Sequence, residues 1–287
     1  MNALPHAGAI VVIGAANGIG AATARRLGSA GAALVLADIE ADTVRRLASA
    51  IRLAGGRAIA CPTDVRDGAT LTTLLATATG SFGAVAAVIN CAAVICPAEI
   101  AESAADDIRL QVDTNLTGTI LVARTFVPYF RERRGGHLLT VASLGGLAPM
   151  PGESVYCATK FGVRGFSQAL ALELRGTGVS VSCICPDSAD TGQLRVEARH
   201  PASTMAFTSP PMAAEDVASA IVRTLVRPRR EVLVPGARGF LVRLLTWSPG
   251  FFALLYPLLD RMGRRGQARF RARIARAAER PLQEVLP

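Results

Sequence analysis

Lysine is almost missing from this chain. Of its 31 basic residues only one is a lysine, Lys160, in the run Tyr156-Cys157-Ala158-Thr159-Lys160, and the other 30 are arginine. In a composition so skewed toward Arg and Ala, arginine serves wherever a plain positive charge is enough. A lysine that persists is either a chance survivor or does something a guanidinium cannot. Its ammonium is compact and carries three rotatable donors, whereas arginine offers a rigid planar fork. It stands four residues after a tyrosine, so on a helix the two side chains share a face.

Other scarcities narrow the field. There are three histidines and none lies near a cysteine, so no zinc site is expected. The six cysteines (Cys61, Cys91, Cys96, Cys157, Cys183, Cys185) show no paired framework, which implies reduced, mostly buried thiols in a cytoplasmic protein. No apolar run reaches the roughly 20 residues a spanning helix requires. The longest uncharged stretch near the C-terminus, 244–259, holds Pro249 and Pro257. A secretory leader is not expected either, because Ala9–Ile13 already reads as a buried strand running into a glycine-rich turn.

What is present is an alternation. Apolar runs at Ala9–Ile13, Ala33–Ala37, Arg57–Cys61, Val85–Asn90, His137–Ala142, Val179–Cys185 and Glu231–Val234 read as strands. Helical lengths lie between them at Ala21–Ala30, Thr43–Ala54, Ala69–Thr79, Ile108–Arg131, Val155–Arg175 and Ala214–Val226. Continuous apolar strands alternating with helices predict an α/β fold, a doubly wound parallel sheet (a Rossmann fold) covered on both faces. The expected organisation is one domain over 1–236 followed by a C-terminal helical extension, 237–287. Charge divides the same way: of the net +9, the extension carries ten Arg against Asp260, Glu279 and Glu284.

Ligands of such folds sit at the carboxyl ends of the strands. The first strand leads into Gly14-Ala15-Ala16-Asn17-Gly18-Ile19-Gly20 and then a helix, where glycines admit a pyrophosphate close to the backbone and the helix N-terminus offers unpaired N–H groups. Asp38 ends the second strand, followed by Ile39. A carboxylate there accepts ribose hydroxyls and repels a 2′-phosphate, so NAD is expected over NADP. Asp64 and Asn90 end the third and fourth strand regions and are placed on the adenine side of the same crevice.

Together these residues make the chain resemble the short-chain dehydrogenase/reductase family over about residues 8–236. The family's glycine turn matches Gly14, Gly18 and Gly20, its acidic discriminator Asp38, and its adenine-side pair Asp64-Val65. Its mid-chain asparagine matches Asn115, its strand-end serine Ser143, and its Tyr-x-x-x-Lys Tyr156 and Lys160. The resemblance implies a cofactor site that also includes Asn17, Ile19, Ile39, Asn90, Ala92, Pro186 and Thr191. It implies that Tyr156 is a general base made more acidic by the neighbouring ammonium, that Lys160 holds the nicotinamide ribose, that Ser143 orients the substrate oxygen, and that Asn115 positions a water leading to solvent. The chain departs from the pattern at Ile13 (for Thr), Ala93 (for Gly) and Asp187 (for Gly). The last puts a carboxylate and a less permissive backbone beside the redox centre.

The expected substrate side is apolar: Val94, Ile95, Leu144, Leu147, Pro149 and Met150, then a lid from Thr191 to Met212 bearing Leu194, Met205 and Phe207. The expectation is an NAD-dependent oxidoreductase acting on a secondary alcohol or ketone with a lipophilic body, working as a homo-dimer or tetramer. The alternatives are a non-catalytic dinucleotide-binding sensor, or a module recruited to membranes by its extension. Trp247, Phe251, Phe252 and Tyr256, followed by Arg261, Arg265, Arg269 and Arg273 at four-residue spacing, suit peripheral membrane contact through 240–280. They suit equally a cap on the substrate cleft or a subunit interface, with the Arg stripe as a solvated face. No nucleic-acid motif accompanies the positive charge. Lys160→Arg, which keeps the charge, is expected to lose most turnover. Normal steady-state kinetics in that variant would show that the lysine's solitude means nothing.

Overall fold

The computed structural model describes residues 8–279. The apolar runs form β1 (Ala9–Ile13), β2 (Ala33–Asp38), β3 (Arg57–Pro62), β4 (Val85–Asn90), β5 (Gly136–Val141), β6 (Val179–Pro186) and β7 (Glu231–Val234). All seven pair in parallel, in the order β3-β2-β1-β4-β5-β6-β7. Between and after them run α1 (Gly18–Ser29), α2 (Ala41–Leu53), α3 (Gly68–Phe82), α4 (Ala105–Gln111), α5 (Gly118–Glu132), α6 (Ser154–Glu173), α7 (Gly192–Arg199), α8 (Ala214–Val226), α9 (Gly236–Leu245) and α10 (Pro249–Glu279).

Parallel strands joined by helical crossovers have both faces covered, and this explains why every residue of β1 is buried. Alternate side chains go to opposite cores. Ile10, Val12, Leu34 and Leu36 meet Val44, Leu47 and Ile221 on one face. Val11, Val35, Val88 and Leu138 meet Leu71, Phe126 and Phe130 on the other. The strand order reverses between β1 and β4, which opens a crevice at their carboxyl ends.

Two expectations change. The helix expected over 108–131 is interrupted: α4 and α5 are joined by a π-helical turn, Val112–Thr117, with Asn115 buried inside it. Wider turns of this kind recur at functional sites because they redirect one side chain. The first helix also begins earlier than expected, at Gly18, so the glycine turn supplies its opening residues.

The extension packs on the domain. Gly239 of α9 lies so close to β7 that a Cβ there would sit 2.4 Å from the Leu233 Cβ. Further on, α10 crosses the lid, where a Cβ at Gly263 or Gly266 would approach the carbonyl oxygens of Thr204 and Phe207 to 2.2 and 2.0 Å. Phe270 stacks on Phe207 at 5.4 Å, the Gln267 amide donates to the His200 carbonyl at 2.8 Å, and Thr204 donates to Asp260 at 2.8 Å. The inner face of α10 therefore packs on the lid, while Arg238 and Val242 of α9 line the cavity itself. A side chain at Gly266 has no space, so Gly266→Leu is expected to lift α10 from the lid and cost about 1–3 kcal/mol. Chemical denaturation reads this directly, and an unchanged midpoint would mean that α10 does not hold the lid.

Candidate active site

The crevice is built from close backbone approaches. At Gly14 a Cβ would lie 2.6 Å from the Ala92 amide nitrogen, and at Gly20 it would lie 1.9 Å from the Gly14 carbonyl oxygen. Only glycine lets the turn fold back on itself so tightly. Asn17 precedes α1 without a side-chain cap, so the first-turn N–H groups are left for an anion. Asp38 braces this turn by accepting from the Ala16 amide at 2.9 Å and the Glu40 amide at 3.0 Å. Ile39, 63% exposed, stands beside it at the rim. Thr191, at the start of α7, lies across the turn close to Gly18. Ile19, Pro186 and Thr191 also line the cavity next to Tyr156 and Lys160. These features fit a dinucleotide: a cradle that a Cβ would fill, an open helix N-terminus, and a carboxylate at the adenosine end.

Three expected adenine-side contacts are otherwise engaged. Asp64 forms a paired contact with Arg66 (2.6 Å to Nη2), whose guanidinium holds its carboxyl below the usual range. Val65 is buried against Gly118. Asn90 is buried, donating to Thr119 at 3.1 Å and accepting from the Ala92 amide at 3.1 Å. It braces the loop after β4 instead of facing the crevice. The sequence shows that these residues end strands, but not which neighbours claim their hydrogen bonds.

The four residues matched to the catalytic group converge from three elements. Lys160 and Tyr156 lie one turn apart on α6, with the ammonium 5.6 Å from the centre of the phenol ring. Lys160 is 2% exposed and donates to the Val141 carbonyl at 3.1 Å, and burial lowers its pKa to about 8. Ser143 lies two residues beyond β5 and accepts from the Gly145 amide at 2.9 Å. Asn115 accepts from the Val94 amide at 2.8 Å, and donates to the Val94 carbonyl at 2.9 Å and to Thr159 at 3.2 Å. It thereby ties the loop after β4 to α6, on the residue next to Lys160.

In the cofactor-free chain Tyr156 is shifted the other way from what the neighbouring ammonium alone would give. Burial, then the charge of Glu197, push its pKa up; hydrogen bonds from Gln193 and Ser143 pull it down, and the Glu153 charge raises it further. The phenol is therefore protonated at neutral pH in the cofactor-free chain. Glu153, just before α6, is 2% exposed, and neither carboxyl oxygen has a hydrogen-bond partner among the described residues; burial pushes its pKa up to about 7. Glu197 is buried and raised too, by desolvation and then by Glu153.

Gln193 and Glu197 are cavity residues beside Tyr156 that the sequence reading missed. Gln193 donates to the Tyr156 hydroxyl at 3.3 Å, and both line the cavity. They stand four apart on α7, the same spacing that singles out Tyr156 and Lys160, so one helical face of the lid was legible as a polar pair. Of the expected apolar wall, Leu144, Met150, Leu194 and Met205 line the cavity. Leu147 and Phe207 are instead buried in packing clusters, and Ile95 is 8% exposed.

The concern over Asp187 is also corrected. Arg134 is the only non-glycine residue in the left-handed region among the described residues, so Asp187 carries no such strain. Its carboxylate pairs with Arg238 of α9 and accepts from Ser209 at 2.9 Å. Arg238 also donates to Thr208 at 2.6 Å. The extension thus supplies the charge that balances the departure. The six cysteines are free, and the Cys183 and Cys185 sulfurs, on one face of β6 as expected, lie 3.9 Å apart.

A doubly wound parallel sheet with a glycine cradle at its reversal point and a Tyr-Lys pair at the adjoining cavity defines a nicotinamide-dependent oxidoreductase. The particular family follows from comparison: the family model for short chain dehydrogenase matches residues 8–201, and the chain belongs to that family. It is 31% identical over 225 residues to a ketoacyl reductase of Nostoc, covering 78% of this chain and 77% of that protein. It is 36% identical over 186 residues to a 1-deoxy-11-beta-hydroxypentalenate dehydrogenase of Streptomyces exfoliatus, covering 64% of this chain and 68% of that one. A short chain dehydrogenase/reductase from Burkholderia phymatum, solved in complex with NAD, superimposes with a TM-score of 0.76 at 28% identity, covering 83% of this chain and 92% of that one.

Tyr156 faces Glu197, Glu153 and Lys160, so its titration reports their charges. Removing the carboxylate that raises its pKa moves the ionisation to lower pH. In Glu197→Gln, the alkaline limb of the pH–rate profile should therefore shift downward. A shift upward would mean that Glu197 does not act on the tyrosine through its charge.

Proposed function

We propose that the chain is an NAD(H)-dependent oxidoreductase that interconverts a secondary alcohol and a ketone on a lipophilic substrate. The observation that carries this reading is the meeting, in one cavity, of Tyr156, Lys160 and Ser143 with the apolar side chains of Leu144, Met150 and Leu194. Preference for NAD rests on Asp38, a carboxylate at the end of β2 that would repel a 2′-phosphate. A bound nicotinamide dinucleotide supplies the hydride chemistry. Asp38 and the open start of α1 would hold its adenosine end and pyrophosphate, and Lys160 would hold the nicotinamide ribose.

The remaining chemistry belongs to the chain. Ser143 donates a hydrogen bond to the substrate oxygen and orients it. Tyr156 exchanges a proton with that oxygen. A phenol kept protonated by burial and by two acidic neighbours is a proton donor at neutral pH, which favours ketone reduction there. Alcohol oxidation requires the phenolate and rises with pH. Gln193, on the lid, holds the Tyr156 hydroxyl in place from the substrate side.

The test is steady-state turnover of wild type and Tyr156→Phe on hydroxysteroid, long-chain alcohol and ketone panels, with NAD and NADP cofactors in parallel. Wild type is expected to turn over with the NAD pair, and Tyr156→Phe to be slower by about 10²–10⁴-fold. Binding of NADH without any Tyr156-dependent turnover would make the protein a dinucleotide sensor. Preference for NADP would remove the role given to Asp38.

A further inference from the structure

Half of the large apolar side chains that stand exposed among the described residues, eight of sixteen, fall between residues 240 and 262. On α9 these are Phe240, Leu241 and Leu244; at the corner between the helices stands Trp247, the chain's only tryptophan, 87% exposed. On α10 they are Phe251, Leu254, Leu258 and Met262. The α10 residues fall at steps of three and four, so they form one stripe along the helix. Continuing that rhythm beyond Met262 reaches Arg265 and Arg269. A single outward face therefore begins apolar and ends cationic.

The opposite face is the one already occupied by the lid, through Gly263, Gln267 and Phe270. The outward stripe is about half or more exposed along its length, and its charge has one sign. The only acid between 237 and 277 is Asp260, which is paired with Arg264 and Thr204. Arg261, Arg265, Arg269 and Arg276 have no acidic partner among the described residues. Arg265 and Arg269, with Arg273, also border a groove floored by Phe207, Pro211 and Phe270. Arg273 is itself paired with Asp190.

We propose that the outward face of α9 and α10 docks on an anionic phospholipid bilayer, with the apolar stripe entering the acyl boundary and Arg265 and Arg269 meeting headgroup phosphates. No single described helix is long and apolar enough to cross a membrane; α9 and α10 reach that length and apolarity only together, bent by 119°. With their inner faces packed on β7 and the lid, the bare face suits a bilayer surface. A second copy of the chain is a poorer occupant, since a like face has no free acid to pair with these arginines. The apolar part alone would suit any hydrophobic partner; the cationic continuation selects a negatively charged lipid surface. Arg238 and Val242 of α9 line the cavity, so docking would place its entrance near the lipid. The docking itself does not depend on the catalytic reading.

Trp247 supplies the readout. The full-length protein is titrated with vesicles of phosphatidylcholine alone and of phosphatidylcholine mixed equally with phosphatidylglycerol, following tryptophan emission and cosedimentation. A blue shift and cosedimentation with the anionic vesicles are expected, with much weaker effects on the neutral ones. Arg265→Glu with Arg269→Glu should lower the partition coefficient by about tenfold or more. Phe251→Ser with Leu254→Ser should do so with only a small fall in the thermal midpoint, because Leu254 is mostly exposed and Phe251 half exposed. Binding to neither vesicle overturns the proposal, as does equal binding to both that ignores the charge reversal. A concentration-dependent dimer dissolved by Phe251→Ser with Leu254→Ser, without vesicle binding, would make this face a subunit interface instead. Turnover is not read in this experiment, so an inactive protein that binds vesicles would sink the catalytic reading alone.

Discussion

Everything at this site depends on one ammonium kept almost dry. Lys160 is 2% exposed, and its one hydrogen bond in the chain runs to the Val141 carbonyl at the end of β5. A charge removed from water with so little compensation is costly, which is why its pKa falls to about 8. Keeping it there requires α6 to lie tight against the loop after β5. A Cβ at Gly146 would approach the Lys160 carbonyl oxygen to 2.7 Å. That same approach brings Ser143 to the phenol one turn away. The lysine, the tyrosine and the serine are thus consequences of one packing contact.

The electrostatic surroundings run against the simplest reading of a Tyr-Lys pair. Two buried carboxyls, Glu153 from the start of α6 and Glu197 from the lid, oppose ionisation of Tyr156. Their own ionisation is opposed by burial. A phenol that holds its proton at neutral pH is in the form a ketone reduction needs, while a cationic nicotinamide would favour the phenolate. The extension belongs to the same balance. Arg238 neutralises Asp187 beside the redox centre, and α10 holds the lid that carries Gln193 and Glu197. The C-terminal helices are part of the active-site architecture and not an appendage to it.

Much of this was legible in residue order because it is local. Apolar runs bounded by glycines place all seven strands within a residue or so, since strands buried on both faces are built mainly from continuous apolar residues. The glycine turn and the Tyr-x-x-x-Lys spacing were readable because a tight turn and a shared helical face are set within a few residues. At Asp64 and Asn90 residue order shows the strand end but not the neighbours. Each sits at the expected strand end, but Arg66 and Thr119 reach their side chains first. The π-helical turn around Asn115 was hidden because its cause is a long-range bond to Val94 and Thr159.

The sequence by itself determined the doubly wound sheet, the dinucleotide crevice at its reversal point, and the identity of the four residues matched to the catalytic group. The sheet and the crevice follow from periodicity and spacing, which act over one element or one turn; the four residues follow from the resemblance to the family. Only the tertiary structure decided the protonation state of Tyr156, the neutralisation of Asp187, and which face of the extension is covered and which is bare. Those outcomes depend on desolvation and on partners dozens of residues away, such as Glu197 for Tyr156 and Arg238 for Asp187. Such distances are closed by folding alone.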